Sequence, residues 1–217
     1  MPTNLSMRTR TDKAFRLYRN IDHLGKGEIE EDAWLINYPK HSEVNSLVLN
    51  YPSGLPHRIE FEAIDSMLVM TDYPVTDVDW QIMSKRMLDT LLSVGSFPHR
   101  AYPVVMLNVE ATYNKTLKKY DAPRTENHDY VAVHLTEYLD AFDFENSVYE
   151  RSTINPDVVK NIRWISLREP TTGYPPLFTL EPSTRLFVSA EARAALEAAN
   201  IQGIDFQHAE DETLVSD

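Results

Sequence analysis

Two stretches of the chain carry the same order of apolar and polar positions. Residues 80–97 read WQIMSKRMLDTLLSVGSF, and residues 185–206 read RLFVSAEARAALEAANIQGIDF. With Ser84 laid under Ser189, Ile82 falls on Phe187, Met83 on Val188, Leu91 on Leu196 and Val94 on Ala199. A serine before a helical pattern suits the N-cap, where its hydroxyl takes a free amide of the first turn. In the first unit Met87, Leu88, Leu91 and Val94 form one stripe at helical spacing, and Gly95 marks the stop. In the second unit the stripe is Ala192, Ala195, Leu196 and Ala199, closed by Asn200 and Gly203 before IDF enters a strand. Each unit reads as strand, serine-capped helix, strand, and both stripes are expected to pack on sheet faces.

Elsewhere the pattern favours strands. FRLYRNI (15–21), SLVLNY (46–51), HRIEFEAI (57–64) and MLVMTDYP (67–74) precede or lead into the first unit. Between the units lie YPVVMLNV (102–109), DYVAVHLTEYLDAF (129–142), NIRWISL (161–167) and PLFTL (176–180). The insert ATYNKTLKKYDAPRTENHD (111–129) has no period and reads as an exposed excursion; PTTGYPP (170–176) reads as a loop. Many strands and few helices without regular alternation predict an α+β fold. Its sheet is expected to be mostly antiparallel or mixed, with two serine-capped helices in a repeated strand–helix–strand unit. A single domain over 1–217 is expected, with a subdomain split near 70–80 as the alternative.

Charge changes the picture through its distribution. The chain of 217 residues carries a net −12, and its acids cluster. Residues 61–80 and 131–150 each hold five acids and no Lys or Arg, and the tail from Asp205 to Asp217 repeats the habit. Bases gather at 8–19, 115–124 and 151–168. Such stretches repel nucleic acid and anionic membrane and steer cationic surfaces inward. The bland alternative for any one of them is a solvated face. No apolar run approaches the ~18 residues of a membrane span. The start MPTNLSMRTRTDKAF is polar and basic, so a cytoplasmic protein is expected.

The search for chemistry returns little. There is no cysteine, which removes disulfides, thiolate catalysis and thiolate metal sites. Phosphate-loop, dinucleotide, nucleophile-elbow and zinc-protease motifs are absent. The histidines at 23, 41, 57, 99, 128, 134 and 208 are too scattered to share one metal. His134, in an alternating stretch, reads as a strand residue rather than a base. The sharpest enzymatic option is a carboxylate pair, Asp77 with Asp79 or Asp140 with Asp143, holding Mg²⁺ or moving protons in a small hydrolase or nucleotide-processing enzyme. Capping and turn roles compete for the same residues. No cofactor and no metal are expected.

The order of motifs resembles a known family. D-x-D-W-Q-I-M-S-x-R-x-x-D-x-L is followed by Y-P-V, Y-V-A-V-x-L-x-E-Y-L-D-A-F-D-x-E-x-S and L-F-T-L. L-F-V-S-x-x-x-x-x-A-L-E-A-A-N-I-Q-G-I-D-F closes the series. Together they resemble the immunity protein eleven family of bacterial polymorphic-toxin loci, over about residues 77–208. The resemblance implies a non-enzymatic protein that binds and blocks a cognate toxin, with no catalytic residues to transfer. The matching positions Ser84, Leu91, Tyr130, Asp140, Asp143, Ser147, Phe178, Val188, Ser189, Leu196, Gly203 and Phe206 look architectural. A toxin with a basic surface is the expected partner, met by Glu137, Tyr138, Asp140, Asp143, Phe144, Glu145 and Glu150. In that stretch Tyr138, Phe142, Phe144 and Tyr149 interleave the acids as possible anchors, although alternate aromatics in a strand belong in a core. A scaffold or adaptor protein is a third option.

Overall fold

A computed structural model describes residues 11–24, 31–37, 57–110, 113–114, 116, 118–120 and 124–210. In chain order the first elements are β1 (Ala14–Arg19), β2 (Ala33–Leu35), β3 (Ile59–Ala63), α1 (Asp65–Leu68), β4 (Gln81–Ser84), α2 (Lys85–Val94) and β5 (His99–Asn108). Then come β6 (Tyr113–Asn114), β7 (Lys119–Tyr120), β8 (Glu126–Leu135), β9 (Val148–Arg151) and β10 (Val159–Trp164). The series ends with β11 (Leu177–Leu180), β12 (Ser183–Ser189), α3 (Ala190–Ala198) and β13 (Ile204–His208). The fold is α+β and dominated by sheet, as the sequence predicts.

The two repeated units go to different sheets. The first supplies β4 and β5 to a mixed sheet of order β2-β3-β5-β8-β4, in which only β3 and β5 run parallel. The second supplies β12 and β13 to an antiparallel sheet of order β11-β12-β1-β13. Both helices begin where their strand ends. Ser84 Oγ accepts from the Met87 amide at 3.0 Å, and Ser189 Oγ from the Ala192 amide at 3.2 Å. The stripes Met87, Leu88, Leu91 and Ala192, Leu196 are buried, and α2 and α3 lie against each other. Their shared core takes Met83, Val131, Val133 and Leu135 from one sheet and Phe15, Leu17, Leu186 and Val188 from the other. The opposite faces are buried as well. Phe61, Trp80, Ile82 and Ala132 line a second core, and Ala14, Phe178 and Phe187 meet Ala141, Phe142 and Ile165 in a third.

Several expectations need correction. MLVMTDYP is no strand, because the amides of Met67 to Met70 bond back to carbonyls of residues 64–67 and none is left for a neighbouring strand. Met67 and Leu68 close the single turn α1, with Leu68 buried and Val69 82% exposed. DYVAVHLTEYLDAF stops pairing at Leu135, after which the Leu139 amide bonds Thr179 O at 2.8 Å and the chain moves onto the other sheet. Glu126–Asp129, read as part of the excursion, begin β8, while β6 and β7 pair with each other. Gly95 ends α2 in an extended conformation open to any residue. At Gly203 the φ of 74° demands glycine, and a Cβ there would stand 1.9 Å from Thr71 Oγ1. The strand expected at 46–51 lies outside the described residues.

The two caps are unequal. Ser84 also donates its hydroxyl to buried Asp72 at 2.6 Å, whereas among the described residues Ser189 serves only its helix. Ser189→Ala should cost about 1 kcal/mol, and Ser84→Ala about 2–3 kcal/mol because a buried carboxylate loses a donor as well. Urea unfolding of both variants checks this; equal costs would refute it.

Candidate functional site

The acidic segment 137–150 is laid down by the way the chain leaves β8. The Asp143 amide bonds Ser166 O at 2.9 Å and the Arg168 amide bonds Ala141 O at 2.8 Å, so residues 141–143 run beside 166–168. That contact pushes Ala141 and Phe142 into the third core. Phe144 then faces outward at 41% exposed, and Tyr138 at 44%. The alternation of the sequence is therefore split: Phe142 is core, Phe144 is surface, and Tyr149 is half-buried between them. The three rings meet edge to face, with centroids 4.8 Å apart for Phe142–Phe144 and 5.8 Å for Phe144–Tyr149.

Asp143 holds this turn. Its Oδ1 accepts the amides of Glu145 at 3.0 Å and Asn146 at 3.2 Å, and its Oδ2 accepts Asn146 Nδ2 at 2.7 Å. Those donors, the Asn146 side chain foremost, hold its carboxyl below the usual range. The other acids divide into two groups. Asp140 pairs with Arg168 at 2.9 Å, and Glu150 takes Arg163 and Asn161, each at 2.9 Å. Asn161 and then Arg163 keep the Glu150 carboxyl low. Glu137 and Glu145 are exposed and form no ion pair among the described residues. A stretch without bases in sequence thus has three arginines around it in space, the third being Arg151.

The first acidic stretch, 61–80, is spent largely on architecture. Glu62 pairs with Arg124 at 2.7 Å, Asp72 is buried against Ser84 and Arg86, and Asp77 Oδ1 accepts the Leu35 amide at 2.8 Å. Neither carboxylate pair has its two members directed at one point. Asp77 serves β2 while Asp79 is exposed, and Asp140 faces Arg168 while Asp143 faces its own turn. Among the described residues no three His or carboxylate groups gather around a possible ion position. His134 is a buried residue of β8 opposite Arg100, and burial, then Arg100, lowers its basicity. A cleft of about 630 Å³ lies between the end of α2, the start of α3 and the 170–176 loop, where Lys13 and Glu169 bond each other at 2.7 Å. Another, about 530 Å³, is walled by Asp72, Ser84, Arg86 and Tyr130.

Sequence reasoning placed a strand at 161–167, which overlaps β10, but missed β9 and the hairpin the two form beside the acidic segment. Its connection carries Ile154, 92% exposed, and Val158, 46% exposed. Asn155-Pro156-Asp157 was the available turn signal. The surface thus offers exposed aromatic and aliphatic side chains among fixed charges, an arrangement suited to contact with another macromolecule.

The sequence profile of the immunity protein family Imm11 matches residues 14–211, and the chain belongs to this family. No curated protein matches it. Among the described residues no helix is long and apolar enough to cross a membrane.

The Asp143 turn has a pH signature. A carboxyl lowered in the folded state contributes above its unfolded value and loses that contribution as pH falls through the lowered one. Amide protection at Glu145 and Asn146 should persist at about pH 4, the ordinary aspartate value, and vanish on further acidification. Asp143→Ala should abolish it at every pH. Hydrogen exchange at these two amides reads both outcomes.

Proposed function

We propose that this chain is the immunity protein of a bacterial toxin: it binds the cognate toxin in the cytoplasm and neutralises it by covering its surface, without catalysis. Membership of the Imm11 family carries the reading. The surface at Glu137, Tyr138, Asp140, Asp143, Phe144, Glu145 and Glu150 supports it, because exposed aromatics beside Glu137 and Glu145, which form no ion pair among the described residues, suit a basic partner. The net charge of −12 opposes nucleic acid and anionic membrane as partners. In this reading the acids govern encounter and the apolar side chains govern residence, since peripheral charges act mainly on association.

The charge test belongs at Glu137 and Glu145, because reversing Asp143 would also break its turn. Wild-type chain should restore growth to cells making the toxin domain encoded beside it. Glu137→Lys with Glu145→Lys should slow association several-fold at low salt, with the gap closing as salt screens it. Surface-binding kinetics across a salt series measures this. Association at the wild-type rate in low salt would remove the acidic segment from the interface.

A further inference from the structure

The β9–β10 hairpin pairs a fully presented apolar side chain with a backbone held by turn hydrogen bonds. The Ser152 amide bonds Val158 O at 2.8 Å, and the Val158 amide bonds Asn155 O at 3.0 Å. Buried Ser152 Oγ accepts the amides of Ile154 and Asn155, each at 3.3 Å. Asn155 Oδ1 takes the Asp157 amide at 3.2 Å, and Pro156 fixes its own φ. Arg151 spans from base to tip. Its Nη1 donates to Pro156 O at 2.8 Å, while its guanidinium lies 5.4 Å from the Tyr149 ring centre and 5.9 Å from that of Phe144. Yet Ile154 remains 92% exposed on this braced turn. Such bonds stabilise a hairpin turn in their own right, and around an exposed isoleucine they also mean that ordering before contact removes a cost from association.

Local charge defines what the knob fits. Glu150 is satisfied by Arg163 and Asn161, and Arg151 by the tip carbonyl and the two rings. What remains on the hairpin is one acid and one base, Asp157 and Lys160. In a chain of net charge −12 this is a nearly neutral prominence. It presents no basic surface to nucleic acid and too little apolar area for a bilayer.

We propose that the hairpin is a preformed apolar finger, with Ile154 at its tip and Phe144 and Val158 at its base, that seats in an uncharged apolar cleft of the toxin. The proposal rests on the immunity reading and adds to it the chemistry of the partner's surface. Central anchors of this kind control dissociation. Ile154→Asp should therefore speed dissociation from the purified toxin domain tenfold or more while association stays within about twofold. Ile154→Ala should give a smaller effect in the same sense. Urea unfolding should be unchanged in both, since the side chain touches little of its own protein. Wild-type binding with unaltered dissociation of Ile154→Asp overturns the finger alone. So does sedimentation showing that Ile154→Asp splits a dimer while toxin binding persists, because the occupant is then a second copy. A wild-type chain that neither binds the toxin nor rescues cells overturns the immunity reading, and the finger falls with it.

Discussion

The Asp72 carboxylate is the point at which the two repeated units are tied. It is 6% exposed and accepts from Ser84 Oγ at 2.6 Å, from Arg86 Nε at 3.3 Å and Nη2, and from the Gln202 amide at 2.8 Å. Its own backbone continues the junction, with its amide on Gln202 O at 2.9 Å and its carbonyl taking the Ser84 amide at 2.7 Å. Arg86 then reaches the carbonyls just past the end of α3, Ala199 O at 3.2 Å and Asn200 O at 3.4 Å. A negative charge thus sits at the start of α2 and a positive one at the end of α3, the favourable sign at each helix end. Buried charge is costly unless paired and fully bonded, and here each partner supplies what the other needs. The close approach of Thr71 to Gly203 is the steric side of the same junction.

The candidate surface inherits its shape from this junction. With α2 and α3 locked, the two sheets each turn one face to the helix pair, and β8 must carry the chain from one sheet toward the other. Past Leu135 the backbone reaches β11, the edge strand of the antiparallel sheet, where Leu139 bridges Leu180, and Phe142 beyond it bridges Leu167 and packs over the sheet's outer face. Ala141 and Phe142 seal that face, so the residue types around them are forced outward. Phe144 and the acids are on the surface because Phe142 is in the core. The hairpin grows from the same seal, since Tyr149 and Ile162 pack against it.

What was legible in the sequence is what local physics dictates. A serine before an apolar stripe caps a helix whatever surrounds it, so Ser84 and Ser189 were both readable. Strands with clear alternation, such as those around Phe15 and Phe61, were readable for the same reason. MLVM does not form the expected strand because a short apolar run does not distinguish a strand from a helical turn; here the amides bond locally, back to residues 64–67. Asp72 had no local signature, since its partner Gln202 lies 130 residues away. The acidic segment was visible, but its neutralisation was not. Arg163 and Arg168 reach Glu150 and Asp140 only through the pairing of later segments with it.

That neutralisation alters which physical effect dominates on the proposed reading. Acids paired before binding keep their partners afterwards, so they contribute little new Coulomb energy to a complex and mainly fix the shape of the surface. Glu137 and Glu145 retain long-range attraction, which salt at physiological strength confines to about 8 Å. Steering of that reach raises the rate of encounter, yet leaves open how long the partners stay together. Protection against a toxin requires long residence, because each dissociation frees an active molecule inside the cell. Residence depends on apolar area buried in a shape fixed beforehand. On the proposed reading those conditions would coincide around Phe144, Arg151 and Ile154, where ring packing and turn hydrogen bonds reduce the freedom that binding would otherwise have to remove.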